Sequence, residues 1–177
     1  MSKPRADEVD VNQLAAQGAV VERRFPLSGC ARLRDLLAPG QSKQPREIRA
    51  RFSFAREQGN PAALVEVEAS LPLTCQRCLQ PVEWPVASAS RLVFVDEAAG
   101  GATIDDGRDA FETRGGQAAL VEIAEEELLL ALPLVATHQN PADCAALAQP
   151  ATGPGTPTAA EHGQRPFEGL KELLGKK

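Results

Sequence analysis

The sequence predicts an α+β fold, and three observations predict it. Apolar residues alternate at period two from Ile48 to Phe54 and again from Val65 to Leu73. A third β-rich run follows from Val82 to Val95, and the turn before it carries C-Q-R-C at residues 75–78. A leucine-dense segment over 120–132 then reads as a helix, stopped by Pro133. Period-two runs bury one face of a strand, whereas a proline cannot continue a helix.

The order of elements follows from local chemistry. Residues 1–18 read as a frayed, flexible start. Val20, Val21 and Phe25 suggest a short strand closed by Pro26. Ser28 is placed to cap a short N-terminal helix over Ala31–Leu37, which Pro39-Gly40 ends. Residues 46–95 form an antiparallel meander. Gln58-Gly59-Asn60-Pro61 makes its first turn and C-Q-R-C its second. Cys75 continues the inward parity of Val65–Leu73, so its thiol points to the core or its rim. Residues 96–117 are acidic and glycine-rich and read as a surface loop with a short strand near Ala110–Glu112. Their aspartates do not have calcium-loop spacing.

On helix 120–132, Ile123, Ala124, Leu128 and Ala131 form the apolar side, and Glu122, Glu125 and Glu126 the polar one. Glu127 falls in the middle of the apolar arc. The domain is expected to span residues 19–147 and to pack helix 120–132 on the meander. A disordered Ala/Pro/Thr/Gly linker at 148–166 and a short helical segment at 167–177 follow. In that last segment Phe167, Leu170 and Leu174 share a face. It is too short to be stable alone and reads either as plain tail or as a segment that folds onto a partner or its own domain.

Composition excludes several classes. Hydrophobic residues make up 43 % of 177, enough for a core, and aromatic residues only 4 %, so that core is mostly aliphatic. No run approaches a membrane span and the start has no secretion-signal pattern, which favours the cytoplasm. Charge is uneven. Residues 1–58 carry 11 Lys/Arg against 7 Asp/Glu, and residues 59–177 carry 8 against 17. Only the first third offers RNA a basic footprint, so RNA contact through Arg23, Arg24, Arg49 and Arg51 should be weak and salt-sensitive. The acidic remainder suits a basic protein partner.

Few residues can carry chemistry. There is no G-x-S-x-G elbow, phosphate-binding loop, dinucleotide fingerprint or H-E-x-x-H, and the chain has only two histidines. Catalysis and a small-molecule substrate are therefore not expected. For Cys75 and Cys78, a thioredoxin-like redox site is the weakest of three readings, because it needs a following helix that Pro81 and Pro85 disfavour. The other two are reduced thiols packed at the core rim, or a zinc knuckle completed by His138 and Cys144. Cys30 reads as a small buried hydrophobe. Glu127 either reaches out to solvent or is buried with a cationic partner, for which Arg77 is the candidate.

C-Q-R-C-L at 75–79, E-E-E-L-L-L-A-L-P at 125–133 with His138 and Cys144 beyond it, and the closing P-F-E-G-L-K-E-L-L-G-K-K together resemble the YceD-type large ribosomal RNA subunit accumulation proteins. The resemblance runs from about residue 20. It implies a cytoplasmic, non-enzymatic role in the synthesis, processing or stability of large-subunit (23S) ribosomal RNA, with a ribosomal protein or RNA-processing factor as partner. The matching positions are Cys75, Arg77, Cys78, Glu127 and Pro133. Phe167 and Leu170 lie in the closing segment and are further candidates for partner contact. Some members carry a further cysteine cluster after the leucine-rich helix, where this chain has Cys144. The alternative reading is a zinc-binding protein-interaction module without a ribosomal role.

Overall fold

The computed structural model describes residues 7–41, 45–97 and 109–144. The three alternating runs become β3 (Glu47–Glu57), β4 (Asn60–Thr74) and β5 (Pro81–Asp96), paired antiparallel. Phe52 stands opposite Val65, and Val65 opposite Ser90. Their inward parity buries Ile48, Phe52, Phe54, Val65, Leu71 and Phe94 in one core. Gln58 and Gly59 connect β3 to β4 with φ of 51° and 88°. A two-residue hairpin loop with both central residues at positive φ matches the right-handed twist of its strands.

The meander is wider than its sequence signature. β2 (Val20–Pro26) pairs antiparallel on the β3 side, and β6 (Asp109–Thr113) pairs parallel with β5 over Leu92–Asp96. The short strand expected near Ala110–Glu112 is β6. A second, two-stranded sheet joins β1 (Glu8–Asp10) to β7 (Gln117–Ala119).

The expectation of a frayed start over 1–18 is corrected for residues 8–17. After β1 comes helix α1 (Val11–Gln17), with Asp10 accepting the Gln13 N–H at 3.0 Å and Gly18 ending it at φ 59°. Val11 and Ala15 bury its inner side, and Ala19 accepts the Phe54 N–H from β3. A capped helix with an apolar stripe has somewhere to pack, so it does not fray.

The short helix after Pro26 is also smaller than expected. Helix α2 covers only Ala31–Arg34, with Cys30 rather than Ser28 at its start, because Leu27–Gly29 form a 3-10 turn. Leu33 is buried, Leu37 half-buried and Leu36 exposed.

Helix α3 (Leu120–Leu130) packs on β4 and β5, with Leu120, Ile123, Ala124 and Leu128 fully buried. Glu125, read from the sequence as solvent-facing, is buried instead. Its Oε1 accepts the backbone N–H groups of Arg32 and Leu33 at 2.8 and 3.2 Å. The physical reason lies in α2, whose starting residue Cys30 supplies no side-chain cap. Those first N–H groups need an acceptor, and α3 provides it. Arg32 closes the arrangement by pairing with Glu126 at 2.6 Å and Glu125 at 3.3 Å. No helix among the described residues is long and apolar enough to cross a membrane.

Candidate metal centre

The turn between β4 and β5 is built by its own backbone. Gln80 O accepts the Cys75 N–H at 2.9 Å and Cys75 O accepts the Leu79 N–H at 2.8 Å, with Leu79 at φ 62°. This fold brings Cys75 and Cys78 to the end of the sheet with both thiols buried. The other two donors arrive from beyond α3. The helix ends at Leu130 and half-buried Pro133 follows, after which Ala136 O accepts the Gln76 N–H at 2.8 Å. Asn140 then starts a 3-10 turn over Pro141–Asp143 by accepting the Ala142 N–H, and that turn delivers Cys144.

Four donor atoms therefore converge. Cys75 Sγ lies 3.9 Å from Cys144 Sγ, and His138 Nδ1 lies 3.5 Å from both Cys78 Sγ and Cys144 Sγ. All four donors are within 4.8 Å of one another. A tetrahedron with Zn–S of about 2.3 Å and Zn–N of about 2.1 Å has S···S edges of about 3.8 Å and S···N edges of about 3.6 Å. The donor set and its spacing fit that ion. They do not fit a disulfide, whose sulfurs sit about 2.0 Å apart, and all four cysteines are free thiols. Cys75, Cys78, His138 and Cys144 would be the ligands, leaving no position open.

The surroundings favour thiolate at Cys75. Burial of Cys75 raises its pKa, but the backbone N–H groups of Cys78, His138 and Arg77, together with the His138 side chain, outweigh that and hold it at about 5. Burial and the neighbouring thiols of Cys78 and Cys75 push Cys144 up. The Arg77 guanidinium donates to Cys144 Sγ over 3.7 Å. Three thiolates around a divalent cation leave one net negative charge, which Arg77 is placed to balance.

The family model described as "Large ribosomal RNA subunit accumulation protein YceD" matches residues 64–174. The chain belongs to the YceD family. The match starts within β4 rather than at about residue 20, and it includes all four donors, α3 and the closing segment as far as Leu174. Comparisons with curated proteins and with solved structures gave no match.

The YceD-matching positions separate in space according to their contacts. Arg77 serves the thiol cluster, whereas Glu127 lies over the middle of β5, so the expected Arg77–Glu127 pair does not form. Of the two readings for Glu127 the buried one holds, but its Oε2 accepts from the Ser88 hydroxyl at 3.2 Å rather than from a cation. Ser90 Oγ, two residues along the same inward parity, is buried without a hydrogen-bond partner. Ser88 alone thus gives the carboxylate a polar seat where the arginine was expected. Leu79, Leu134 and Val135 flank the cluster in sequence and are exposed. Phe167, Leu170, the linker 148–166 and the segment 167–177 lie outside the described residues.

The arginines considered for RNA are mostly engaged. Arg24 pairs with Glu47 at 3.8 Å, Arg49 with Glu68 at 2.9 Å and Arg51 with Glu22 at 3.9 Å. Arg23 falls on the opposite strand parity and donates to the Glu22 carbonyl. Sequence reasoning missed Glu125 and the α1 cap. Val11, Leu14 and Ala15 behind Asp10 were a legible signal for the α1 cap, whereas nothing in the sequence marked Glu125, because Ser28 reads as the cap of the short helix.

Proposed function

We propose that this chain is a non-enzymatic accessory factor in the synthesis, processing or stability of 23S ribosomal RNA. It works in the cytoplasm by binding a ribosomal protein or an RNA-processing factor. A zinc ion held by Cys75, Cys78, His138 and Cys144 clasps the β4–β5 turn to residues 131–144 and fixes the docking region. The observation that carries this reading is that the YceD match spans all four converging donors.

Two further features support it. Four protein ligands around one ion are the pattern of structural zinc sites, since a catalytic zinc keeps a position for water or substrate. The thiols sit in a hairpin turn with no helix N-terminus behind Cys75, unlike a dithiol redox site. The arginine face of the sheet is interleaved with glutamates, so RNA affinity should be weak and salt-sensitive and protein contact should dominate. Exposed Leu79, Leu134 and Val135, next to the clasp in sequence, give a partner apolar surface to cover.

The test is deletion of the gene followed by measurement of the ratio of large- to small-subunit ribosomal RNA. The ratio is expected to fall, to recover with the intact gene and to stay low with Cys75→Ser. The second reading, a zinc-dependent interaction module without a ribosomal role, is favoured by the donor geometry taken alone. It would stand if the ratio were unchanged while the purified protein retained its metal.

A further inference from the structure

The last column of the five-stranded sheet is only half filled. β6 covers β5 along Leu92–Asp96. Below that, residues 81–91 of β5 pair with β4 on one side, and among the described residues no strand pairs with the other. Pro81 and Pro85 blunt the lower part, because proline donates no N–H. Val86–Arg91 is left as an open edge, and open edges pair with extended chains unless protected.

The side chains beside this edge select what would pair there. On the outer face Ala87 and Ala89 are exposed, and they stand opposite Glu68 and Glu66 of β4. They floor one end of a cavity of about 700 Å³, whose walls include Glu66 and Glu68 on β4, next to the edge, and Arg24, Arg49, Arg51 and Glu22 on β2 and β3, farther from it. Glu68 is held by Arg49, whereas Glu66 has no ion-pair partner among the described residues. Strands lie about 4.8 Å apart, so a strand added to β5 sits roughly 10 Å from β4. A lysine or arginine on that strand spans this gap only if nothing bulky stands on β5, and the two alanines leave the path clear. On the inner face Ser88 already binds Glu127, so the edge adds no large apolar side chain of its own.

We infer that Val86–Arg91 of β5 is a strand-addition site for an extended basic segment of a protein partner, whose cationic side chains cross Ala87 and Ala89 to reach Glu66 and Glu68. The chain's own residues 98–108, which lead into β6, are a poor complement because they carry Asp105 and Asp106 against one arginine, Arg108. Glu66 and Glu68, the charges nearest the edge on β4, disfavour an RNA strand there. The inference rests on the reading of this chain as a protein-binding factor. It can fail while metal retention and the ribosomal RNA deficit both hold, so the two failures are distinguishable.

The test uses the full chain with its metal bound. It is titrated with a synthetic peptide of alternating lysine and threonine, and separately with one of alternating glutamate and threonine, while amide exchange is followed residue by residue. The lysine peptide should slow exchange within Val86–Arg91, and the glutamate peptide should not. Ala89→Arg, which fills the floor with a cation beside Glu66, should weaken the lysine peptide about tenfold through repulsion and lost access. Glu66→Gln combined with Glu68→Gln should weaken it similarly without adding bulk. Unchanged affinity in these variants, equal protection by both peptides or no binding of the lysine peptide would overturn the inference. So would protection, in the free chain, of those Val86–Arg91 amides that are not bonded to β4, since residues 98–108 would then fill the edge.

Discussion

Cys30 and Cys75 are both buried thiols, yet their surroundings push them in opposite directions. Around Cys30 burial dominates, and with the nearby Glu125 carboxylate it raises the pKa to about 11. Around Cys75 three backbone N–H groups and His138 overcome the same burial and lower it to about 5. The first site is a place to pack a sulfur atom. The second is a place to hold a thiolate, and two more thiols and an imidazole stand within reach of it. Burial alone says little about a cysteine; what the backbone aims at it decides its chemistry.

That contrast can be broken by experiment, and the largest effect is expected at the cluster. Removing the metal with a chelator, or replacing Cys75 by Ser, should free residues 131–144 from the β4–β5 turn and lower Tm by roughly 10 °C or more, because structural metal binding is coupled to folding. Calorimetry with and without chelator checks this, and Cys75→Ser should no longer respond to chelator. Phe54→Ala opens a cavity opposite Ala63, at the end of β4 away from the β4–β5 turn, and should cost about 3–5 kcal/mol. The same loss in the metal-bound and metal-free chains would separate the sheet core from the metal end.

Smaller effects sharpen the picture. Glu125→Ala strips two backbone donors at the start of α2 of their acceptor and should cost about 1–2 kcal/mol in denaturant unfolding. Cys30→Ala should cost about 1 kcal/mol and leave metal content unchanged. Its pH signature has a definite sign. A thiol raised from 9.0 to about 11 ionises first in the unfolded chain, so its contribution is complete below pH 9 and lost between pH 9 and 11. Cys30→Ala should remove that loss. Glu127→Gln keeps an acceptor for Ser88 and should change stability by less than about 1 kcal/mol.

Much of this fold can be read from sequence where periodicity is strong. The meander needs only the parity of Ile48–Phe54 and Val65–Leu73, whereas the helical angle of Glu127 leaves burial and reaching out to solvent both open. The four donors are also legible, because C-x-x-C in a turn needs two further ligands and His138 and Cys144 are the nearest set beyond the helix. What periodicity cannot give is the partner of a buried polar group. Arg77 and Glu127 look complementary on paper, but the turn aims Arg77 at Cys144, and Ser88 takes the carboxylate. Glu125 looks solvent-facing because a helical wheel does not see α2 lying across it. Strand β6 pairs parallel with β5 across an intervening segment, a long-range contact with no local signature.

The most direct test of the central claim is the metal content of the protein purified without added zinc, measured for the unaltered chain and for Cys75→Ser. The account predicts close to one zinc per unaltered chain and almost none in the variant. A metal-free unaltered chain in which residues 131–144 nonetheless stay docked against the β4–β5 turn would contradict it.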